Sequence, residues 1–264
     1  LVDNISEQEP GATPKKRNIQ QLFHFGPTTL SFADDKLSLN TNYSTGNILL
    51  LPADKVGRTQ PSRLRRRQLS NILLLPADKV GLSASELQGF VAYERPYFPK
   101  APYVSYSRDS VLPVTMPIVL YPYKGRVTPP HVTSETVEVK EGQNVLPQSE
   151  AICVVVTVSS NADKCRDYIL FNNKSNRQPV DFGGLSSDAS ACCVRYDKFG
   201  RLSSAYFYDG TFIADKQGVI VKSDTPIKKY CDMKYLGGTI DVSTDENVGL
   251  EVRNSGLNKI IING

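Results

Sequence analysis

Apolar and polar residues alternate with a period of two along much of the chain, in short β-branched or aromatic runs bounded by turn-forming residues. This pattern is typical of half-buried β-strands. No stretch keeps a helical period beyond one or two turns. Strands that recur every ~8–12 residues favour an antiparallel β-sandwich or barrel, so an all-β fold is predicted. The clearest runs are Cys153–Val158, Cys193–Tyr196, Ser204–Tyr208 and Val219–Lys222.

Glycines close several of the connections between these runs. Glycine supplies the positive φ angle that tight hairpin turns require. The sequence therefore predicts hairpin turns at Asp197–Gly200, Tyr208–Gly210, Lys140–Gly142 and Asn254–Gly256.

The distribution of strands and prolines predicts three regions. Residues 1–128 are expected to form a β-sandwich preceded by an N-terminal arm. Residues 129–150 are polar and contain three prolines, which indicates a connection, although the alternation in Val132–Val139 also fits one edge strand. Residues 151–264 form a second group of strands, which could be a separate, hairpin-rich β unit.

An eleven-residue segment occurs twice without change, at 47–57 and at 71–81. Structural repeats drift in sequence, so identity of this kind indicates a duplication. One copy is sufficient for a strand, and long surface insertions cost little closure entropy. We therefore interpret residues 58–81 as a duplicated, irregular insertion with an arginine-rich start.

The net charge of +4 is concentrated in one place. Five arginines lie between residues 58 and 68, and without them 26 basic residues face 27 acidic ones. The charge of the whole chain is therefore weak evidence for a nucleic-acid partner. A smaller cluster, Lys15, Lys16 and Arg17, lies in the predicted arm and is the candidate contact to RNA phosphates. The alternative is an ordinary solvated face.

No catalytic motif is present in the sequence, and we expect neither an enzyme nor a cofactor or metal site. His24 fits a part-buried strand histidine better than a general base, because no nucleophile or acid is patterned beside it. His131 fits a solvated loop residue. Asp34 and Asp35 fit a turn. An enzyme whose site has no motif stays open as a third reading.

The five cysteines show no CxxC spacing, and their odd number leaves at least one thiol outside any intrachain disulfide. Buried, inert thiols in a reducing compartment are the favoured interpretation. Whether any of the thiols pair is left open.

Six tyrosines lie between residues 93 and 123. Packing within the sheet or at a subunit interface is favoured. Stacking on sugar rings is the alternative, and Tyr93 and Tyr97 are the candidate residues for either contact.

No apolar stretch approaches the roughly 20 residues needed to span a bilayer, so no membrane span is predicted. The chain starts at Leu1 without an initiator methionine and ends at Gly264. We expect it to be a processed piece of a longer translation product.

Two short runs resemble segments of capsid proteins from picorna-like RNA viruses: Ala205–Gly210 (AYFYDG) and Pro102–Ser105 (PYVS). Members of that family are jelly-roll sandwiches cut from a polyprotein. The resemblance implies that the β-sandwich is jelly-roll-like. It also implies a structural virion protein that assembles with copies of itself and with sister capsid subunits around RNA. Its expected location is the virion, and the host cytoplasm during assembly.

The alternative function is a carbohydrate-binding β-sandwich module excised from a larger secreted enzyme. Tyr93 and Tyr97 are the residues on which that reading depends.

Overall fold

The structure, a computed structural model, is built from β-strands and confirms the predicted all-β class. It describes residues 2–5, 15–25, 28–42, 70–90, 100–124, 128–159, 164–176, 178–236, 238–244, 247–254 and 259–263. Within these ranges no helix is present. The antiparallel sheets, one of which curls into a half-barrel, are consistent with a β-sandwich or jelly-roll-like fold.

The chain divides into two compact units. Unit 1 comprises residues 1–112 and 116–130, and unit 2 comprises residues 113–115 and 131–264. The first eight strands are β1 (Val2–Ile5), β2 (Lys16–His24), β3 (Thr29–Phe32), β4 (Leu39–Asn42), β5 (Ser70–Pro76), β6 (Leu82–Phe90), β7 (Lys100–Val111) and β8 (Val114–Lys124).

Unit 1 contains two sheets. The larger has the strand order β1-β8-β5-β4-β3, and the smaller has the order β2-β7-β6. In the smaller sheet, side chains alternate between a buried and an open face, because successive residues of a strand point to opposite sides. Ile19, Val104 and Tyr106 lie on the buried face. Among the residues that the structure describes, the other face of this sheet is largely exposed.

Unit 2 is one large sheet. Its strands are β9 (His131–Val137), β10 (Val139–Glu141), β11 (Asn144–Val145), β12 (Ala151–Ser159), β13 (Lys164–Asn172), β14 (Val180–Phe182), β15 (Leu185–Ser187), β16 (Ala191–Asp197), β17 (Leu202–Asp215), β18 (Gly218–Leu236), β19 (Thr239–Thr244), β20 (Leu250–Val252) and β21 (Lys259–Asn263).

Half of the strand pairings described in this sheet join strands that are consecutive along the chain. The main path is β11-β10-β14-β15-β17-β16-β13-β12-β9, and β18 joins β17 to β19 and β20. The pairings are antiparallel except for β19 with β21, which is parallel. Val139 on β10, Val155 on β12 and Val242 on β19 belong to one buried cluster although their strands are far apart in this order. The sheet therefore has to curl, and its concave side encloses the core.

The core of unit 2 is arranged in rows that run across the strands. One row joins Val155, Tyr168, Val194, Ala205 and Met233, each directly opposite the next. Four of these side chains are at most 3% exposed, and Tyr168 is half-buried. Cross-strand neighbours of this kind are the unit of sheet stabilisation. The concave side is thus apolar along its centre.

Two of the predicted hairpin turns are confirmed. Asp197–Gly200 connects β16 to β17, with Gly200 at a φ of 73° and its amide donating to the Asp197 carbonyl. Lys140–Gly142 leads from β10 towards β11, with Gly142 at a φ of 59°. The fourth prediction, Asn254–Gly256, lies largely outside the described residues.

The hairpin turn predicted at Tyr208–Gly210 is wrong, because these residues lie inside β17 at an irregularity in its pairing with β18. Asp209 has a positive φ of 56°. A Cβ at Gly210 would lie 2.6 Å from the Cα of Ala189. The glycine is therefore needed for a close approach between two backbones, not for a chain reversal.

The structure contains strands in two segments for which the sequence predicted something else, a polar connection in one case and an irregular insertion in the other. Residues 129–150 include β9, β10 and β11 and belong to unit 2 from residue 131 onwards. The second copy of the repeat, 71–81, supplies most of β5, which lies between β8 and β4. The first copy and the arginine-rich spacer lie outside the described residues.

Candidate functional site

The basic cluster lies at the start of β2. Lys15 is exposed just before the strand, and Lys16 and Arg17 pair with Val111 and Ser110 of β7. The Nζ of Lys16 lies 3.8 Å from an Asp109 carboxylate oxygen, with both side chains more than half exposed. An exposed pair of this kind contributes little to stability. Lys16 and Arg17 are therefore held in a sheet and do not belong to an extended arm.

The described tyrosines of unit 1 pack within the sheets. Tyr106 is fully buried, and its hydroxyl donates to the Leu37 carbonyl at 2.7 Å. Tyr123 donates to the Asn40 side chain at 2.6 Å. Tyr93 and Tyr97, the candidate interface or glycan contacts, lie outside the described residues.

The two histidines and the Asp34–Asp35 turn take structural positions. His24 is exposed at the end of β2 and stacks on Tyr103, with ring centroids 4.8 Å apart. His131 is exposed at the start of β9, not in a loop. Partial burial acts to raise the pKa of Asp35, but hydrogen bonds from Lys79 and from the amides of Leu37 and Ser38 outweigh it and lower the pKa. This carboxylate stabilises a turn.

Three cysteines share one row across the concave side of unit 2. Leu170 lies between Cys153 and Cys192, and Phe207 lies between Cys192 and Cys231. Two strand spacings amount to about 9.5 Å, beyond the roughly 7 Å between Cα atoms that a disulfide allows. These three thiols cannot pair with one another in this fold, and none of the five cysteines forms a disulfide.

Burial also makes the thiols poor nucleophiles. It raises the pKa of Cys153 and of Cys231 to about 12. For Cys193, burial and then the nearby Asp167 carboxylate raise the pKa to about 12. Because the thiolate is the reactive form, these residues are inert at neutral pH.

The small sheet of unit 1 presents an open edge. Among the described strands, β6 pairs with β7 and leaves its other side without a partner. Its nine residues include one charge, Glu86, and no proline or lysine. Leu87 is 42% exposed and Phe90 is 67% exposed. Proteins usually protect such edges with charges, prolines or a covering segment, so this strand is a candidate pairing surface.

A pocket of about 380 Å³ lies in unit 2, and one of its lining residues is Tyr168, a member of the row of core residues described above. The next row on the same face places Arg166 directly opposite Tyr196. Tyr168, two residues after Arg166, meets Tyr196 edge-on, with ring centroids 6.1 Å apart and an interplanar angle of 90°. The turn from β17 to β18 contributes Lys216 and Gln217. Two tyrosines and two cations thus surround one cavity.

A two-glycine turn forms one wall of this pocket. Gly183 and Gly184 join β14 to β15 at φ angles of 57° and 86°. A Cβ at Gly183 would lie 2.5 Å from Cε1 of Tyr168, and a Cβ at Gly184 would lie 3.4 Å from Cε of Lys216. Only glycine lets Tyr168 approach the turn this closely, so the turn sets the position of the ring.

The carboxylates at the pocket already have cationic partners. Asp215 accepts hydrogen bonds from Arg253 at 2.6 and 2.9 Å and from the Tyr196 hydroxyl at 2.9 Å. Asp197 accepts from the Arg201 guanidinium at 2.7 and 2.9 Å. Burial acts to raise the pKa of Asp215, but the bonds from Arg253, the Gln217 amide and Tyr196 lower it. Both carboxylates are therefore charged and neutralised.

Arg166 and Lys216 have no carboxylate partner among the described residues. The Nε of Arg166 lies 3.4 Å from the Thr157 hydroxyl, at the long limit of a hydrogen bond. Lys216 is exposed at the rim. The uncompensated charge of the pocket is therefore positive. A second depression of about 530 Å³ adjoins it, but there Arg201 and Arg253 are paired.

Sequence reasoning did not identify this pocket. The adjacent glycines Gly183 and Gly184 were a readable signal for a two-residue hairpin. Arg166 and Lys216 lie about fifty residues apart in the sequence. They line the same pocket only because of the way the strands pair and the sheet curls. No sequence pattern marks such a meeting.

No protein-family model matches the chain, and a search of curated proteins finds no match. In the part of the chain that the structure describes, no helix is long and apolar enough to cross a membrane. Those residues also contain no cluster of three or more histidines, cysteines or carboxylates that could hold a metal ion. The two runs that carry the capsid resemblance lie in different units, on β7 and β17.

Proposed function

We propose that this chain is a structural subunit that assembles with copies of itself into a virion shell around RNA. The open edge of β6 is the observation that carries the proposal. The edge is long and nearly uncharged, and it ends on an exposed Phe90. Identical edges can pair antiparallel about a twofold axis, which gives a self-complementary contact.

The open face of the small sheet supports the same proposal. Leu22, 50% exposed, and Leu87, 42% exposed, lie on the face of the small sheet that carries His24 and Tyr103. Apolar and aromatic side chains of this kind are enriched in interfaces that lose their water on assembly.

The proposed packing of RNA depends on Lys15, Lys16 and Arg17. All three side chains are exposed, and the ion pair of Lys16 with Asp109 is long and solvated. Such an arrangement suits the neutralisation of phosphates without base recognition. These residues lie at one end of β2, which leaves the edge of β6 free for pairing.

Filter binding of single-stranded RNA at increasing salt tests the nucleic-acid part. Replacing Lys15, Lys16 and Arg17 by glutamine should reduce the slope of log affinity against log salt by about 2, because each phosphate contact to a single strand contributes roughly 0.7. Replacement of Lys140, Lys164 and Lys222, which are exposed in unit 2, is the matched control. An equal loss in both triple variants would contradict a specific role for the basic cluster.

Sedimentation velocity tests the assembly part. The protein should form particles far larger than the 29.2 kDa chain. The fraction of the protein in these particles should rise with protein concentration. A monomer at every concentration, with or without RNA, would rule the proposal out.

A further inference from the structure

We propose that the pocket between the Gly183–Gly184 turn and Tyr196 binds an acidic sugar, a single pyranose ring that carries a carboxylate. This proposal does not rest on the assembly function and concerns unit 2 alone. It is carried by the cavity, the aromatic walls and the positive charge that remains there.

The size of the cavity limits the ligand to about one ring. Its volume of about 380 Å³ is at the lower end of the roughly 300–1,000 Å³ found for small-ligand sites. Leu185 is buried and Gln217 is exposed, so of these two lining residues the apolar one lies at the inner end and the polar one at the rim. An apolar inner end with polar groups at the rim is the usual arrangement of a site that orients a small polar molecule.

The charge of the pocket selects an anion. Asp197 and Asp215 are neutralised by Arg201 and Arg253. Arg166 is then available to a ligand carboxylate, since the guanidinium forms paired hydrogen bonds with that group. Lys216 adds a second cation, and its side chain lies against Gly184 at the mouth of the pocket.

The aromatic geometry favours a sugar over a planar base. Tyr168 and Tyr196 stand at 90° to each other, so they do not form two parallel faces that could sandwich a flat ring. A pyranose needs only one aromatic face for its C–H groups and presents its hydroxyls elsewhere. The Gln217 side chain and the neighbouring backbone groups are suitable partners for those hydroxyls.

Titration calorimetry with glucuronate, glucose and adenosine monophosphate tests the proposal. Glucuronate should bind at least about tenfold more tightly than glucose, because a hydrogen bond to a charged group is worth that much or more. Tighter binding of adenosine monophosphate than of glucuronate would overturn the assignment to a sugar. No measurable binding of glucuronate at its highest soluble concentration would overturn the site itself.

Two charge variants and a matched control locate the binding. Arg166→Gln and Lys216→Gln should each weaken glucuronate binding about tenfold, since each removes a charge-assisted contact. Lys222→Gln removes the same charge from an exposed position of β18 that does not line the pocket, and it should bind as the wild type does. Equal affinities in all three variants would contradict the proposal.

A pair of glycine variants distinguishes the effect of displacing Tyr168 on glucuronate binding from the effect of backbone strain. Gly183→Ala and Gly142→Ala carry similar strain, because the φ angles are 57° and 59°. Only at Gly183 would the new methyl group collide with Tyr168, whereas nothing lies within 4 Å of a Cβ at Gly142. Gly183→Ala should lose glucuronate binding while Gly142→Ala keeps it. Both proteins would first be checked for native circular dichroism, and unchanged binding in folded Gly183→Ala would oppose the model.

Discussion

The two units use the same secondary structure in different ways. Unit 2 builds one curled sheet, largely from consecutive hairpins such as β12–β13, β16–β17 and β17–β18, around a single core. In unit 1, β2 pairs with β7 across more than sixty intervening residues, and β5 pairs with β8. Local pairing closes short loops at low entropic cost, whereas distant pairing does not. Unit 2 is therefore expected to fold faster than unit 1.

The largest effect is expected at the buried ion pair of unit 2. The side chains of Arg253 and Asp215 are 13% and 11% exposed. Arg253→Ala would leave a buried carboxylate without its cation and should lower the free energy of unfolding by about 3–5 kcal/mol. Urea unfolding measures this, with Lys140→Ala as control, because the exposed pair of Lys140 with Glu138 should contribute at most about 1 kcal/mol.

The same ion pair predicts that the stability of the folded protein falls at acid pH. The pKa of Asp215 is below its ordinary value of 3.8 in the folded protein. Its stabilisation is therefore present above that value and is lost as the pH falls through the lower, folded pKa. Asp215→Asn should flatten the acid side of the stability curve. An unchanged acid limb in that variant would contradict the assignment.

The next effect is expected at alkaline pH and concerns the thiols, all five of which belong to unit 2. Cys153 and Cys231 have pKa values of about 12, against an ordinary 9.0. The unfolded chain loses these protons first, so the stability that the two thiols contribute is fully present below pH 9.0 and declines above it, by about 1.4 kcal/mol per thiol per pH unit. Urea midpoints across this range should fall for the wild type and fall less steeply for Cys153→Ala. Equal slopes would mean that the thiols are not buried.

A smaller effect is expected at the buried tyrosine of unit 1. Tyr106→Phe keeps the ring beside Phe23 but removes the hydroxyl that donates to the Leu37 carbonyl. The loss should be about 1 kcal/mol by urea unfolding. Tyr208→Phe, at a side chain that is 45% exposed in unit 2, should change stability by less than about 0.5 kcal/mol. A larger loss of unfolding free energy in Tyr208→Phe than in Tyr106→Phe would contradict this prediction.

Particular residues show what could be predicted from the sequence. The period of two and the turn residues at Asp197–Gly200 were sufficient for the all-β class and for one hairpin, because both depend on local backbone preferences. Tyr208–Gly210 has the same local chemistry but forms an irregularity within β17. Asp188 accepts hydrogen bonds there from the Thr211 amide and hydroxyl, a contact between distant parts of the sequence.

The candidate sites were harder to predict from the sequence than the fold class, because most of them are formed by tertiary structure. The basic cluster was readable because its three residues are adjacent. The edge of β6 and the pocket at Arg166 were not, since each is defined by which strands pair and how the sheet curls. The identical repeat likewise could not reveal which copy forms β5, because both copies have the same propensities.

The most direct test of the assembly proposal compares two phenylalanines with the same exposure. Phe90 ends the open edge of β6 in unit 1, and Phe199 lies in a turn of unit 2, each 67% exposed. Sedimentation velocity would be measured at one protein concentration for the wild type, Phe90→Lys and Phe199→Lys. We expect large particles for the wild type and Phe199→Lys, and small species for Phe90→Lys, because a charge at an edge opposes pairing. A monomeric wild type, or equal assembly of the two variants, would contradict the account.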